Sequence, residues 1–138
     1  MSITKAYCAT EPNARVVPTK IDRRPVGPKD VQIGIEYCGV CHTDIHFVNN
    51  DWGMTNYPVV PGHEIVGRVT EVGSAVKNFI PGDRAAIGCL VDSCGVCGNC
   101  EKGLEQYCLN GFTATYNSET SDPGGFTYGG YSTSVVAK

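Results

Sequence analysis

The sequence predicts a mostly β domain with short helices, arranged as a partly open barrel. Three observations carry this. Seventeen glycines and eight prolines punctuate 138 residues every few positions. Between them lie short runs rich in Val and Ile, and these alternate with strand period. Few windows sustain a 3.6-residue apolar period for three turns.

In chain order, ARVVPTKI at 14–21 reads as a strand. KDVQIGIEYCGV at 29–40 alternates, with Val31, Ile33, Ile35 and Tyr37 on one side. HTDIHFVNN at 42–50 reads as a short helix that Thr43 could cap. HEIVGRVTEVG at 63–73 sets Ile65, Gly67, Val69 and Glu71 against Val66, Arg68, Thr70 and Val72, a weaker strand alternation. DRAAIGCLV at 83–91 is a further strand, and EKGLEQYC at 101–108 a second short helix. SETSDPGGFTYGG at 118–130 is a long polar loop, and GYSTSVVAK at 130–138 a last strand. There is no Gly-x-Gly-x-x-Gly between a strand and a helix and no βαβ alternation, hence no dinucleotide-binding unit.

Composition excludes several classes. A net charge of −3, no basic stripe and 9% aromatics speak against nucleic acid. No apolar run approaches the roughly 20 residues of a membrane span. MSITKAYCATEP lacks a charged n-region followed by an apolar stretch, so no signal peptide is read and a cytoplasmic location is expected. Eight cysteines without an export signal then point to metal rather than to disulfides.

Within YCGVCHTDIH, Cys38 to His42 spell CGVCH. That string fits a haem-attachment site and also a redox Cys-x-x-Cys. SCGVCGNCEKGLEQYC places Cys94, Cys97, Cys100 and Cys108 inside fifteen residues. Four thiolates can wrap one zinc tetrahedrally, and four protein ligands leave no open position, so the site would be structural. Iron–sulfur is the rival. A ferredoxin run would close its fourth cysteine after three residues and follow it with proline, whereas here seven intervene and Leu109 follows. His63 and Glu64 head an apolar strand, where a polar pair is costly to bury unless something binds it. Alone, they would read as a surface pair.

They are not alone. Gly62-His63-Glu64-x2-Gly67-x5-Gly73-x2-Val76 resembles the signature of zinc-containing alcohol dehydrogenases, in the medium-chain dehydrogenase/reductase superfamily. VGPKDVQI, YCGVCHTDIH, YPVVPGHEIVG, PGDR and the four-cysteine lobe occur in that family's order along nearly the whole chain. YCGVCHTDIH, Trp52, SCGVCGNC, TYN at 115–117 and GGYS at 129–132 resemble most the cinnamyl-alcohol-dehydrogenase-like branch, which reduces aldehydes, usually with NADPH. The resemblance implies that residues 1–138 form a GroES-like catalytic domain with a zinc lobe at 89–110. The activity implied is hydride transfer between an alcohol or aldehyde and NADP or NAD.

By resemblance, Cys41 and His63 hold a catalytic zinc with one position left open, and Cys38 is a small buried thiol. An open zinc site lowers the pKa of bound water from 15.7 to about 7, and a bound alcohol should be acidified in the same way. Thr43 then takes the place beside the substrate oxygen, and His46 passes its proton outward. Asp44 orients His63, and Glu64 approaches the metal when substrate is absent. Trp52 lines the substrate pocket, and His42 stands where many relatives carry an arginine for the cofactor pyrophosphate. Cys8 and Cys89 are read as packing. The third catalytic ligand, the cofactor domain and a returning segment lie beyond Lys138 in the family, so this chain is expected to be inactive alone. An iron–sulfur electron carrier and a non-catalytic zinc-stabilised module stay open as alternatives, as does a homo-oligomer of the full-length form.

Overall fold

The structure, a computed structural model, describes residues 2–138. It is mostly β. Strand β1 (Ser2–Cys8) pairs antiparallel with β2 (Val17–Arg23) along its whole length. Strand β3 (Val31–Cys38) leads into the one α-helix among the described residues, α1 (His42–Asn49). Then come β4 (Ile65–Val72), β5 (Arg84–Ile87), β6 (Leu90–Asp92), β7 (Thr113–Ala114) and β8 (Ser134–Ala137). The central sheet is β5-β4-β3-β8, antiparallel throughout. The ribbon β1-β2 reaches the rest through single bridges, Ala6 with Ser132 and Ala9 with Val59. The expected open barrel is thus a four-stranded sheet with a two-stranded ribbon against it. No helix among the described residues is long and apolar enough to cross a membrane.

The alternation in the two central strands sets the core. Ile65, Gly67 and Val69 of β4 turn inward with Ile33, Ala85 and Val135, while Arg68 and Thr70 face out. Burying a side chain such as Ile65 is worth about 1.5–3 kcal/mol. The alternation of β3 fails at its end. Register shifts fall between Gln32 and Ile33 and between Ile35 and Tyr37, and Tyr37 is 74% exposed rather than inward. Two smaller clusters complete the core: Ala6, Cys8 and Val60, and then Ala9, Val59 and Tyr116.

Several expected elements differ. Strand β1 is an addition to the expected elements, because SITKAYC shows no clear inward alternation of large apolar residues. DRAAIGCLV is broken at Gly88-Cys89 into β5 and β6, and Cys89 is exposed there, not packed. EKGLEQYC is no helix. It is two 3-10 turns, Cys100–Lys102 and Glu105–Tyr107, separated at Gly103 with φ of 72°. A chain that must wrap its cysteines around one point cannot run straight. The 118–130 loop is pinched by a bridge between Glu119 and Phe126.

The segment 128–134 is a junction. Arg23 of β2 is buried and donates to the carbonyls of Tyr128 (2.6 Å), Gly129 (2.9 Å) and Ser134 (3.0 Å). Burial pushes its pKa down to about 10, and the carbonyls accept what water cannot.

Candidate metal centres

Two groups of side chains converge. The first is Cys94, Cys97, Cys100 and Cys108, whose sulfurs all lie within 4.8 Å of one another. Tetrahedral zinc with sulfurs near 2.3 Å has sulfur–sulfur edges of about 3.8 Å, so the set fits that ion. Two backbone N–H groups, of Cys100 and then of Leu109, pull the Cys97 thiol down to about 6, the direction that favours a ligating thiolate. Leu109 N–H lies 3.4 Å from that sulfur. The surroundings have no apolar core of their own. Val96 and Leu109 are more than 70% exposed, and Cys100 is the one buried residue of the stretch 94–108.

The second group is Cys41, His63 and Glu64, with one donor atom from each within 4.8 Å of the others. Cys41 stands at the N-cap of α1, and His63 lies just before β4, 22 residues on. Both sit where a regular element begins, so the folding of the sheet against α1 brings them together. His63 is buried and Glu64 exposed. One sulfur, one imidazole and one carboxylate suit zinc and leave a fourth position free. Cys38 is outside this group. Its sulfur turns toward Gly62 and Gly130, and burial raises its pKa.

The residues expected around this site are present, though not always as expected. Thr43 is not the cap: Cys41 is, and Thr43 stands two residues into the helix. Its hydroxyl instead accepts the Cys41 thiol at 3.5 Å, at the edge of the cluster. Asp44, 3% exposed, makes no hydrogen bond to His63 among the described residues. Its carboxylate accepts the N–H of Cys41 (2.9 Å), the N–H of Gly62 (3.0 Å) and the hydroxyl of Tyr131 (3.1 Å). It therefore fixes the backbone on either side of the pair rather than the imidazole. His46 pairs through Nδ1 with Asp51 at 2.7 Å. Trp52, half exposed, lays its ring 4.8 Å from His46 and 5.2 Å from Phe47. His42 is exposed, with its ring 4.8 Å from that of His46.

Three neighbours went unread as site residues. Asp51 reaches His46 because Asn50 adopts a left-handed φ of 60° and turns the chain back over the helix end. An asparagine pair before an acid was the available signal. Tyr116 packs its ring 5.5 Å from His63, and its buried hydroxyl has no hydrogen-bond partner among the described residues. Burial, with the Asp44 charge nearby, holds that phenol far above its ordinary pKa, so it stays neutral. Tyr131 is raised for the same two reasons. Both tyrosines lie in stretches that carry the family resemblance, TYN and GGYS, but nothing there points to their partners, which are 53 or more residues away.

Comparison with known proteins places the arrangement. The family model of the alcohol dehydrogenase GroES-like domain matches residues 27–138. NADP-dependent alcohol dehydrogenase C 1 of Mycolicibacterium smegmatis is 53% identical over 99% of the chain and 39% of its own length. Aldehyde reductase YahK of Escherichia coli is 54% identical over 95% of the chain and 36% of its length. The solved cinnamyl alcohol dehydrogenase of Sorghum bicolor superposes with a TM-score of 0.93 at 39% identity, covering 99% of this chain and 39% of that one. The CAD of Helicobacter pylori, complexed with NADP(H), gives 0.91 at 38% identity over 98% and 39%. The chain thus spans about two fifths of the length of the proteins it matches.

Proposed function

The chain belongs to the alcohol dehydrogenase family, whose GroES-like domain it carries, and from that premise we propose that it is the catalytic domain of a zinc-dependent alcohol dehydrogenase or aldehyde reductase. The reaction is hydride transfer between a small alcohol or aldehyde and NADP, the cofactor in the names of two relatives. Among the described residues no parallel βαβ unit is available to bind a dinucleotide. The nicotinamide is therefore presented to this domain by another.

The observation that carries the reading is the convergence of Cys41, His63 and Glu64 across 22 residues of chain. Cys41 and His63 would hold a zinc ion, which when bound supplies Lewis-acid polarisation of a substrate oxygen. Glu64 would be this chain's own third donor to that ion when no substrate is bound. The Thr43 hydroxyl, at the rim of the cluster, takes the proton of the reacting alcohol while giving up its own. His46 carries the released proton outward. With Nδ1–H donated to Asp51, its Nε2 is the free acceptor. Trp52 shapes the substrate side, and His42 faces the cofactor phosphates, as a weaker anchor than arginine. The four-cysteine group is closed and structural.

Elemental analysis of the chain should find two zinc ions. Cys41→Ser should lose one and keep the other. A single ion that survives Cys41→Ser would overturn the reading in favour of a zinc-stabilised module without catalysis. In the protein that includes its nicotinamide domain, Thr43→Ala should slow aldehyde reduction by roughly 10²–10⁴-fold, the usual share of a positioned proton donor.

A further inference from the structure

Nothing local sets the distance between Cys41 and His63, since 22 residues separate them. The sheet brings the two segments side by side, with the Gly39 N–H on the Glu64 carbonyl at 2.9 Å, and the Asp44 carboxylate ties the ligand residues themselves together. It takes one N–H from Cys41 itself and one from Gly62, the residue before His63. Its third donor, the Tyr131 hydroxyl, comes from a part of the chain that carries neither ligand.

That third donor sits on a fixed base. Arg23 grips the carbonyls on both sides of Tyr131, at Gly129 and Ser134, and also the Ser132 hydroxyl at 2.9 Å. The Tyr131 carbonyl accepts Tyr7 N–H at 2.8 Å. Its own N–H donates to Pro61 at 2.9 Å, and Gly130 N–H to Gly62 at 2.8 Å. The two backbones approach so closely that Gly62, at φ of 100°, has no room for a Cβ. One would lie 2.7 Å from the Tyr131 ring and from the Cys38 sulfur. The loop, the His63 segment and the Cys41 segment therefore meet at one buried carboxylate.

We propose that Tyr131 is a positioning residue which, acting through Asp44 from an anchored loop, sets the separation of Cys41 and His63. The inference rests on the reading that this pair holds a metal ion. Removing the hydroxyl leaves Asp44 tied only to the two segments it must space, with no external reference. Partners that orient metal ligands typically change metal affinity by about 10–100-fold.

The test is cobalt(II) titration of the chain depleted of zinc at the Cys41 site alone, followed by the thiolate absorption of that site, with the zinc retained in the four-cysteine lobe as internal control. Tyr131→Phe keeps the ring and removes the hydroxyl. It should weaken cobalt binding at Cys41–His63 by about 10–100-fold and leave the lobe filled. In an Asp44→Asn background, the same substitution should add little, because both act on one contact. A purely structural tyrosine would lower the melting temperature yet leave cobalt affinity unchanged at a temperature where the variant is folded. Unchanged affinity, losses that add fully in the double variant, or failure of Tyr131→Phe to fold would each overturn the proposal. Failure of the unsubstituted chain to bind cobalt at Cys41 would instead sink the functional reading beneath it.

Discussion

Glu64 reaches the metal-binding group only because residue 39 has no side chain. A Cβ at Gly39 would collide with the Glu64 carboxylate and lie 3.0 Å from its Cβ. Because the carboxylate is the far end of an exposed side chain, it can swing away. Gly39→Ala should therefore evict the carboxylate from Cys41 and His63 rather than disturb the sheet. The expected result is weaker metal binding there, with a stability change of about 1 kcal/mol or less, checked by cobalt titration beside thermal melting. At this scale the sequence was partly legible. Cys41, His63 and Glu64 stood out by chemistry and by the family pattern, and the structure gathers them. The resemblance implies that Asp44 orients His63; here its carboxylate is taken up by backbone N–H groups and a distant phenol. Such a choice depends on which segment arrives at the carboxylate, and short-range pattern does not record that.

Among elements, the lobe between β6 and β7 depends on its cysteines more than any other part. Its large apolar residues are exposed: Val96 at 75%, Tyr107 at 65% and Leu109 at 73%. With no apolar burial, an ion shared by the four cysteines would supply its order. Cys94→Ser, or chelation, should release one zinc and open the stretch between β6 and β7 to proteolysis. The β5-β4-β3-β8 sheet should stay protected, and limited digestion followed by mass spectrometry separates the two. If the whole chain were cut at equal rates, the lobe would not be the local unit argued here. Legibility varied for a related reason. Strands β3 and β4 announced themselves because large residues face in. In β1 the pattern is inverted. Small Thr4, Ala6 and Cys8 are buried, while Ile3 is 74% and Tyr7 53% exposed, so hydrophobicity points the wrong way. The 101–108 stretch has helix-forming composition, yet ligand geometry overrides propensity and leaves two separate turns.

At the scale of the molecule, three small clusters share the core, so polar ties between segments carry weight. Asp30 is one of them. Its carboxylate binds the Arg24 guanidinium and the Gly27 N–H, and its carbonyl accepts Gly73 N–H at 2.8 Å. Burial alone would raise its pKa, but Arg24 and the Gly27 N–H outweigh that and hold it below 3.8. A carboxyl lowered in the folded state stabilises above its unfolded value and loses that contribution as pH falls through the folded one. The chain should therefore lose stability below about pH 4. Asp30→Asn should melt lower than the parent at pH 7 yet lose less on going from pH 5 to pH 3. Parallel melting curves for the two proteins across that range would count against the linkage.

The lobe also leaves and rejoins the sheet through a narrow neck. Leu90 pairs with Ala114, and Thr115 N–H reaches the Cys89 carbonyl at 3.1 Å, so the two ends stand side by side. A stretch whose entry and exit are neighbours can be lengthened, shortened or exchanged for a plain turn without re-routing any strand around it. The join at Leu90 and Ala114 is therefore a graft point, where a plain hairpin should replace the insert without disturbing the strands around it.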